Sequence, residues 1–249
     1  MKERLDQALN RLGVTSSRSQ AESWIKLGKV KVNNQVISKP GYFVTVGADI
    51  VLDADEQYVS RAGLKLASVA QLLGVDFNDK TVLDVGSSTG GFTDYALKHG
   101  AKKVYAVDVG TEQLHPSLRK NPRIELHEKT DIRDFTLDDK PDITVMDVSF
   151  ISLREILPHV ANALSKPNTQ IIAMVKPQFE AGREQVNKGV IKNDAIRRQI
   201  LRDFELWAKD WFYVNDKRDS EVSGAKGNQE RFYLLTLKRN STTSPGRMT

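Results

Sequence analysis

The stretch that most restricts what this chain can become is Thr81-Val82-Leu83-Asp84-Val85 running straight into Gly86-Ser87-Ser88-Thr89-Gly90-Gly91-Phe92. A short apolar run, a glycine cluster and then Tyr95, Ala96 and Leu97 read as strand, tight turn and helix, the opening of a parallel crossover unit. The pattern repeats downstream, with candidate strands at 81–85, 103–107, 123–127, 142–146, 169–175, 211–214 and 232–237 and a first helix at 64–73. Alternation of this kind predicts an α/β domain over residues 61–239, a seven-stranded Rossmann-like sheet with helices on both faces. The last two strands lie close across the loop 223–228, so they are expected as an antiparallel hairpin at the sheet edge. Residues 240–249 read as a disordered tail.

Residues 1–53 have a different texture. Leu5, Ala8, Leu9 and Leu12 fall at helical spacing before Gly13, and Ser16 or Ser17 is placed to cap a second helix carrying Ala21, Trp24, Ile25 and Leu27 up to Gly28. Val30-Lys31-Val32, Asn33-Asn34 and Val36-Ile37 then read as strand, turn, strand, with a last strand at 49–52 after Pro40-Gly41 and Gly47. This is a small α+β module. Residues 54–60 are polar and aperiodic and are expected to link the two domains.

Composition narrows the partners. The 249 residues hold 37 Lys+Arg against 32 Asp+Glu, a formal charge of +5 that favours a polyanion. There is no cysteine, which excludes a disulfide framework, a thiolate metal site and a thiol nucleophile. With no histidine cluster either, no metal site is expected. No run reaches the roughly 18 apolar residues that span a bilayer, and the N-terminus is amphipathic rather than signal-like. The expectation is a cytoplasmic protein with no membrane contact and no obligate protein partner.

The glycine turn sits where open α/β sheets bind ligands, outside the carboxyl ends of the strands. Ser88 stands where a dinucleotide fingerprint needs its second glycine, so a pyrophosphate is disfavoured. Asp84 lies two residues before the turn. Asp108 ends the second strand, where a carboxylate accepts hydrogen bonds from both ribose hydroxyls, and Asp131 with Ile132 is placed to meet an adenine. The candidate cofactor residues are therefore Asp84, Gly86, Ser87, Ser88, Gly90, Gly91, Phe92, Asp108, Asp131 and Ile132. They suit a nucleoside with a small charged tail.

Five segments carry a family resemblance: Ser60-Arg61-Ala62-Gly63-Leu64-Lys65-Leu66, Asp84-Val85-Gly86, Met146-Asp147-Val148-Ser149-Phe150, Val175-Lys176-Pro177-Gln178-Phe179-Glu180 and Gly227-Asn228-Gln229-Glu230. Together they resemble the TlyA family of FtsJ-like ribose methyltransferases. Ser17-Arg18-Ser19-Gln20-Ala21 and Gly28-Lys29-Val30-Lys31-Val32-Asn33 are similar to the S4 RNA-binding module. The resemblance implies S-adenosylmethionine as cofactor, ribosomal RNA or ribosomal subunits as partner, a cytidine 2'-hydroxyl as target, and Lys65, Asp147, Lys176 and Glu230 as the catalytic tetrad. Relatives also carry the name haemolysin, although no segment here has the length or amphipathic pattern of a pore.

Independently, Asp147 and Lys176 end the fourth and fifth strands, on the same edge as the glycine turn. A ribose hydroxyl is a poor nucleophile and needs a base near its proton. A lysine amine, with an ordinary pKa of about 10.4, serves once a neighbouring ammonium and burial favour its neutral form. Lys176 is accordingly read as proton acceptor, Lys65 as its electrostatic partner, and Asp147 and Glu230 as orienting carboxylates. Glu180 and Lys188 are read as substrate-positioning or solvated side chains, and Phe179 as a base-stacking or core ring. In the first module Arg4, Arg11, Arg18, Lys26, Lys29, Lys31 and Lys39 are candidate phosphate contacts. The competing readings are a methyltransferase acting on a base or a protein, and a ribosome-binding or assembly factor that keeps the fold without the chemistry.

Overall fold

The structure is a computed structural model that describes residues 2–15, 18–26, 28–53, 58–186, 189–224 and 227–238. The expected caps at Ser16 and Ser17, Leu27, Lys188, most of the linker and the tail lie outside these residues.

The N-terminal part runs β1 (Lys2–Arg4), α1 (Leu5–Arg11), α2 (Arg18–Lys26), β2 (Val30–Val32), β3 (Gln35–Val36), β4 (Phe43–Thr45) and β5 (Ile50–Leu52). Leu5, Ala8 and Leu9 of α1 and Ala21, Trp24 and Ile25 of α2 are buried together, as their spacing predicts. Gly13 and Gly28 follow the two helices with φ of 71° and 69°, a left-handed turn that glycine adopts without a Cβ penalty. Asn33 and Asn34 take φ of 48° and 66° between β2 and β3, the hairpin turn for which asparagine is suited. Two elements escape the sequence reading. β1 and β4 pair as an antiparallel ribbon, and neither three-residue strand shows a usable alternation, because Lys2-Glu3-Arg4 is charged throughout. Leu12 lies past the helix and is half exposed, and Ile37 lies past β3.

The larger part begins with α3 (Arg61–Ala70), three residues ahead of its expected place. Gly63 argues against a helix by propensity, yet a Cβ there would fall 2.5 Å from the Tyr58 side chain and 2.9 Å from the Gly91 carbonyl. Close packing makes it a helical glycine. Then follow β6 (Thr81–Val85), α4 (Gly91–Lys98), β7 (Lys103–Val107), α5 (Pro116–Arg119), β8 (Ile124–His127), β9 (Ile143–Met146), α6 (Leu153–His159) and a π-helical turn to Leu164. The chain ends with β10 (Gln170–Val175), α7 (Pro177–Glu180), α8 (Asp194–Ala208), β11 (Phe212–Asp219) and β12 (Arg231–Leu237).

The seven strands form one sheet in the order β11-β12-β10-β9-β6-β7-β8. The five strands from β10 to β8 run parallel, and β12 and β11 are antiparallel. The edge hairpin is as expected, but β11 extends to Asp219 past a bulge at Val214/Asp216. Its Asn-Asp-Lys-Arg-Asp end reads as loop because an edge strand tolerates polar side chains on its open side. Two apolar layers cover the faces, one under α3 and α4 and one under α6 and α8. The two parts meet where Gln20 Nε2 donates to the Tyr58 carbonyl at 2.7 Å.

Candidate active site

Strand register sets the site. Val85 pairs with Met146 across β6 and β9, and Val175 pairs with Arg231 across β10 and β12. One residue past β6, β9 and β10, and one before the antiparallel β12, stand Gly86 beside Asp147 and Lys176 beside Glu230, all at the carboxyl edge of the parallel strands. Lys65 reaches the same edge from α3. Its Nζ lies 2.5 Å from Glu230 Oε2, and Lys176 Nζ lies 2.6 Å from Asp147 Oδ1. Lys176 also donates to Ser149 Oγ at 2.7 Å. All four side chains are largely buried, Glu230 at 2% exposure most of all. A buried charge is costly unless a partner meets it, and here each amine has its own carboxylate.

The glycine turn lies alongside. Gly86 takes φ of 78°, and a Cβ on it would approach the Asp147 carbonyl to 2.8 Å, so only glycine lets β6 and β9 end this close together. Ser88 is also left-handed, at φ 46°, which aims its N–H at Asp108 Oδ2, 2.8 Å away. Asp108 Oδ1 accepts from the Gly110 N–H at 2.7 Å. Next to this turn a cleft of about 380 Å³ opens, lined by Gly86, Ser88, Asp108, Asp131, Ile132 and Asp147 among others. That volume lies in the usual range of small-molecule pockets, about 300–1,000 Å³.

Other expected cofactor residues sit behind the cleft instead of in it. Phe92 is 2% exposed and packs on Phe232 with ring centroids 6.0 Å apart. A Cβ on Gly90 would strike Leu114 and Leu118, and one on Gly91 would strike Ser60 and Gly63. These glycines let α4 seat against α5 and α3. Ser87 and Asp84 are buried beneath the turn. Asp84 Oδ2 accepts from Thr93 Oγ1 at 2.6 Å, while Oδ1 has no hydrogen-bond partner among the described residues. Burial pushes its carboxyl up to about 7, with Asp147 and Asp108 adding repulsion against the Thr93 hydrogen bond. Asp131 goes the other way, to about 2, chiefly because Arg133 binds its carboxylate at 2.6 Å.

Several lining residues escape the sequence reading: Ser149 as a partner of Lys176, Thr130 and Gln113 at the polar end, and the exposed Phe150. Phe150 holds φ of 67°, an uncommon conformation for a bulky residue, and its ring stands 5.2 Å from Phe179. Phe179 is therefore half-buried at the cleft side and not core. Glu180 corrects an expectation. It is neither solvated nor aimed at substrate, because its carboxylate accepts from Ser152 Oγ at 2.6 Å and the Leu153 N–H at 2.8 Å at the start of α6, and burial raises its pKa.

In the N-terminal part most candidate RNA contacts also hold internal carboxylates. Asp6, fully buried, is met by Arg4 at 2.9 Å and Arg18 at 2.7 Å; Arg11 pairs with Glu3 and Lys31 with Asp53. Lys26, Lys29 and Lys39 are exposed.

A parallel sheet with a nucleoside-sized cleft at its carboxyl edge and lysine–carboxylate pairs beside it defines a class, an α/β methyltransferase. The FtsJ-like methyltransferase model matches residues 58–238 and the S4 domain model residues 3–50. YqxC of Bacillus subtilis (strain 168), provisionally named an rRNA methyltransferase, is 41% identical over 95% of this chain and 85% of its own. The 16S/23S rRNA (cytidine-2'-O)-methyltransferase TlyA of Mycobacterium tuberculosis is 35% identical over 97% and 92%. A solved Streptococcus thermophilus structure provisionally named a haemolysin superposes with a TM-score of 0.70 at 38% identity, over 95% of this chain and 88% of that one. The chain belongs to the FtsJ-like methyltransferase family, in the TlyA group that joins it to an S4 domain. Despite the haemolysin name, no helix among the described residues is long and apolar enough to cross a membrane.

Proposed function

We propose that this protein methylates the 2'-hydroxyl of a cytidine in ribosomal RNA, with S-adenosylmethionine as donor. The observation that carries the reading is the pair of buried lysine–carboxylate contacts, Lys65–Glu230 and Lys176–Asp147, beside a glycine-turn cleft. The names of relatives, 23S and 16S/23S rRNA (cytidine-2'-O)-methyltransferases, support the choice of nucleotide and RNA class.

The donor's fit rests on the cleft itself. Asp108, already accepting two N–H groups at the end of β7, suits ribose hydroxyls; Ile132 and Asp131 suit an adenine; Gly86 leaves room against the Asp147 backbone. S-adenosylmethionine, when bound, supplies a methyl carbon on a positively charged sulfur that accepts the bonding pair on departure. Lys176 Nζ takes the proton of the attacking hydroxyl, and Asp147 with Ser149 holds the resulting ammonium in place. Lys65, held by Glu230, stabilises negative charge as it develops on the ribose oxygen. An amine-directed or base-directed methyltransferase has no use for such a lysine pair. Exposed Lys26, Lys29 and Lys39, with Arg4, Arg11, Arg18 and Lys31, hold the RNA backbone through salt-sensitive contacts.

Transfer of labelled methyl to unmodified ribosomal subunits, followed by digestion to nucleosides, tests the reading. Wild type is expected to yield 2'-O-methylcytidine, and Lys176→Met to lose about 10²–10⁴ in rate, the range for a general base. A label on a base overturns the ribose assignment. Transfer to neither subunits nor free RNA favours the non-enzymatic ribosome-binding factor.

A further inference from the structure

The ribbon of β1 and β4 carries an exposed aromatic ring, Phe43, to which the proposed function gives no role. Lys2 pairs with Thr45, Glu3 with Val44 and Arg4 with Phe43. In an antiparallel ribbon opposed residues project to the same side and successive residues to opposite sides. Val44 is buried in the core, and Glu3 turns toward α1 to meet Arg11 at 2.6 Å, so their side faces inward. Lys2, Arg4, Phe43 and Thr45 therefore form the outward side.

Phe43 is 61% exposed there, a large apolar ring left in water, with Arg4 directly across the ribbon and Lys2 on the diagonal. Arg4 is held in place beside it. Its guanidinium donates twice to Asp6, at 2.9 and 3.0 Å, and lies where a Cβ on Gly41 would be 3.5 Å from its central carbon. Lys2 is exposed and has no ion-pair partner among the described residues. An aromatic face flanked by basic side chains fits an unpaired nucleotide, whose base stacks on the ring while its phosphates meet the cations. A second copy of this chain fits poorly, because an isologous contact would set Lys2 and Arg4 against their own equivalents. Duplex RNA offers no open base face.

We propose that Phe43 is a stacking platform for an unpaired RNA base, with Lys2 on the adjoining phosphate; this rests on the RNA-methyltransferase reading. The test uses the full-length chain with protein-free ribosomal RNA fragments, single-stranded and duplex, across a salt series. Phe43→Ala is expected to weaken single-strand binding about tenfold while duplex affinity and salt slope hold, because stacking releases no counterions. Phe43→Trp restores binding, which separates stacking from a folding defect. Lys2→Gln lowers the salt slope by about 0.7. With ribosomal subunits as substrate the Phe43→Ala loss falls on KM and not on kcat.

Equal loss on single strand and duplex overturns the platform, as does an effect seen with intact subunits but not with protein-free RNA, or a change of oligomeric state on mutating Phe43. If wild type binds RNA and transfers methyl while Phe43→Ala is indistinguishable from it, the platform alone falls. If wild type does neither, the RNA-methyltransferase reading falls and takes the platform with it.

Discussion

Two regions of this molecule use the same ingredients, basic side chains set against carboxylates, to different ends. At the sheet edge Lys65–Glu230 and Lys176–Asp147 are nearly closed off from water; in the N-terminal part Arg11–Glu3 and Lys31–Asp53 lie open to it. Exposed pairs contribute little, since water and salt screen them and two long side chains must be held still. Their cations remain available to phosphate. Buried pairs are different, because neither partner can lose the other cheaply. On the proposed function, burial and not residue type separates the surface that meets a polyanion from the site that moves a proton. Asp6 marks the boundary: it is buried inside the N-terminal part, and two arginines reach in from the surface to meet it.

The sharpest way to break the comparison is Glu230→Gln. It leaves the Lys65 ammonium buried without its counter-charge, and a loss of up to about 3 kcal/mol is expected, together with loss of methyl transfer. Chemical denaturation checks the first and the labelled-methyl assay the second. Unchanged stability would place this pair with the exposed ones.

A smaller effect per pH unit comes from Asp84, a buried carboxylate with no salt bridge among the described residues. Its pKa is about 7 when folded, against about 3.9 for a free aspartate. The folded state therefore holds a proton that the unfolded state releases: the contribution is full below pH about 4, declines as pH rises, and is gone above pH about 7. Between those values wild type loses up to about 1.4 kcal/mol per pH unit through this group, and Asp84→Asn does not. Denaturant midpoints of both proteins from pH 4 to 8 read the difference; parallel curves would remove burial of Asp84 as the cause.

The smallest expected effect is none. Glu3→Gln breaks the Arg11 pair at the surface and leaves the melting temperature where it was. A clear drop would show that the exposed pairs carry more of the N-terminal part than their geometry indicates.

The sheet was legible from sequence because parallel strands are buried on both faces and read as short apolar blocks; 81–85 and 103–107 match residue for residue. β1 and β4 were not, since a ribbon of three-residue strands owes its existence to pairing across the module and leaves no local period. The positions of Asp147 and Lys176 followed from strand ends alone. Their sorting into pairs did not, because whether Lys65 meets Glu230 or Asp147 depends on how α3 lies on the sheet. The glycine turn divides into two parts. Gly90, Gly91 and Phe92 belong to the same motif as Gly86 and Ser88, but past Ser88 the chain turns into α4 and these residues pack against neighbouring helices and strands.

The contact between Lys65 and Glu230 has a consequence for the order of assembly. Lys65 comes from the first helix of the larger part and Glu230 from the last turn before the final strand, so this contact spans almost the whole of that part. Bringing ends so distant in sequence together costs more loop-closure entropy than any local contact. A chain still growing from its N-terminus can hold Lys65, Asp147 and Lys176 and still lack the carboxylate that keeps Lys65 in place. Only when the closing hairpin has docked onto β10 is the set complete, so the four side chains meet only in a chain that has folded as far as β12.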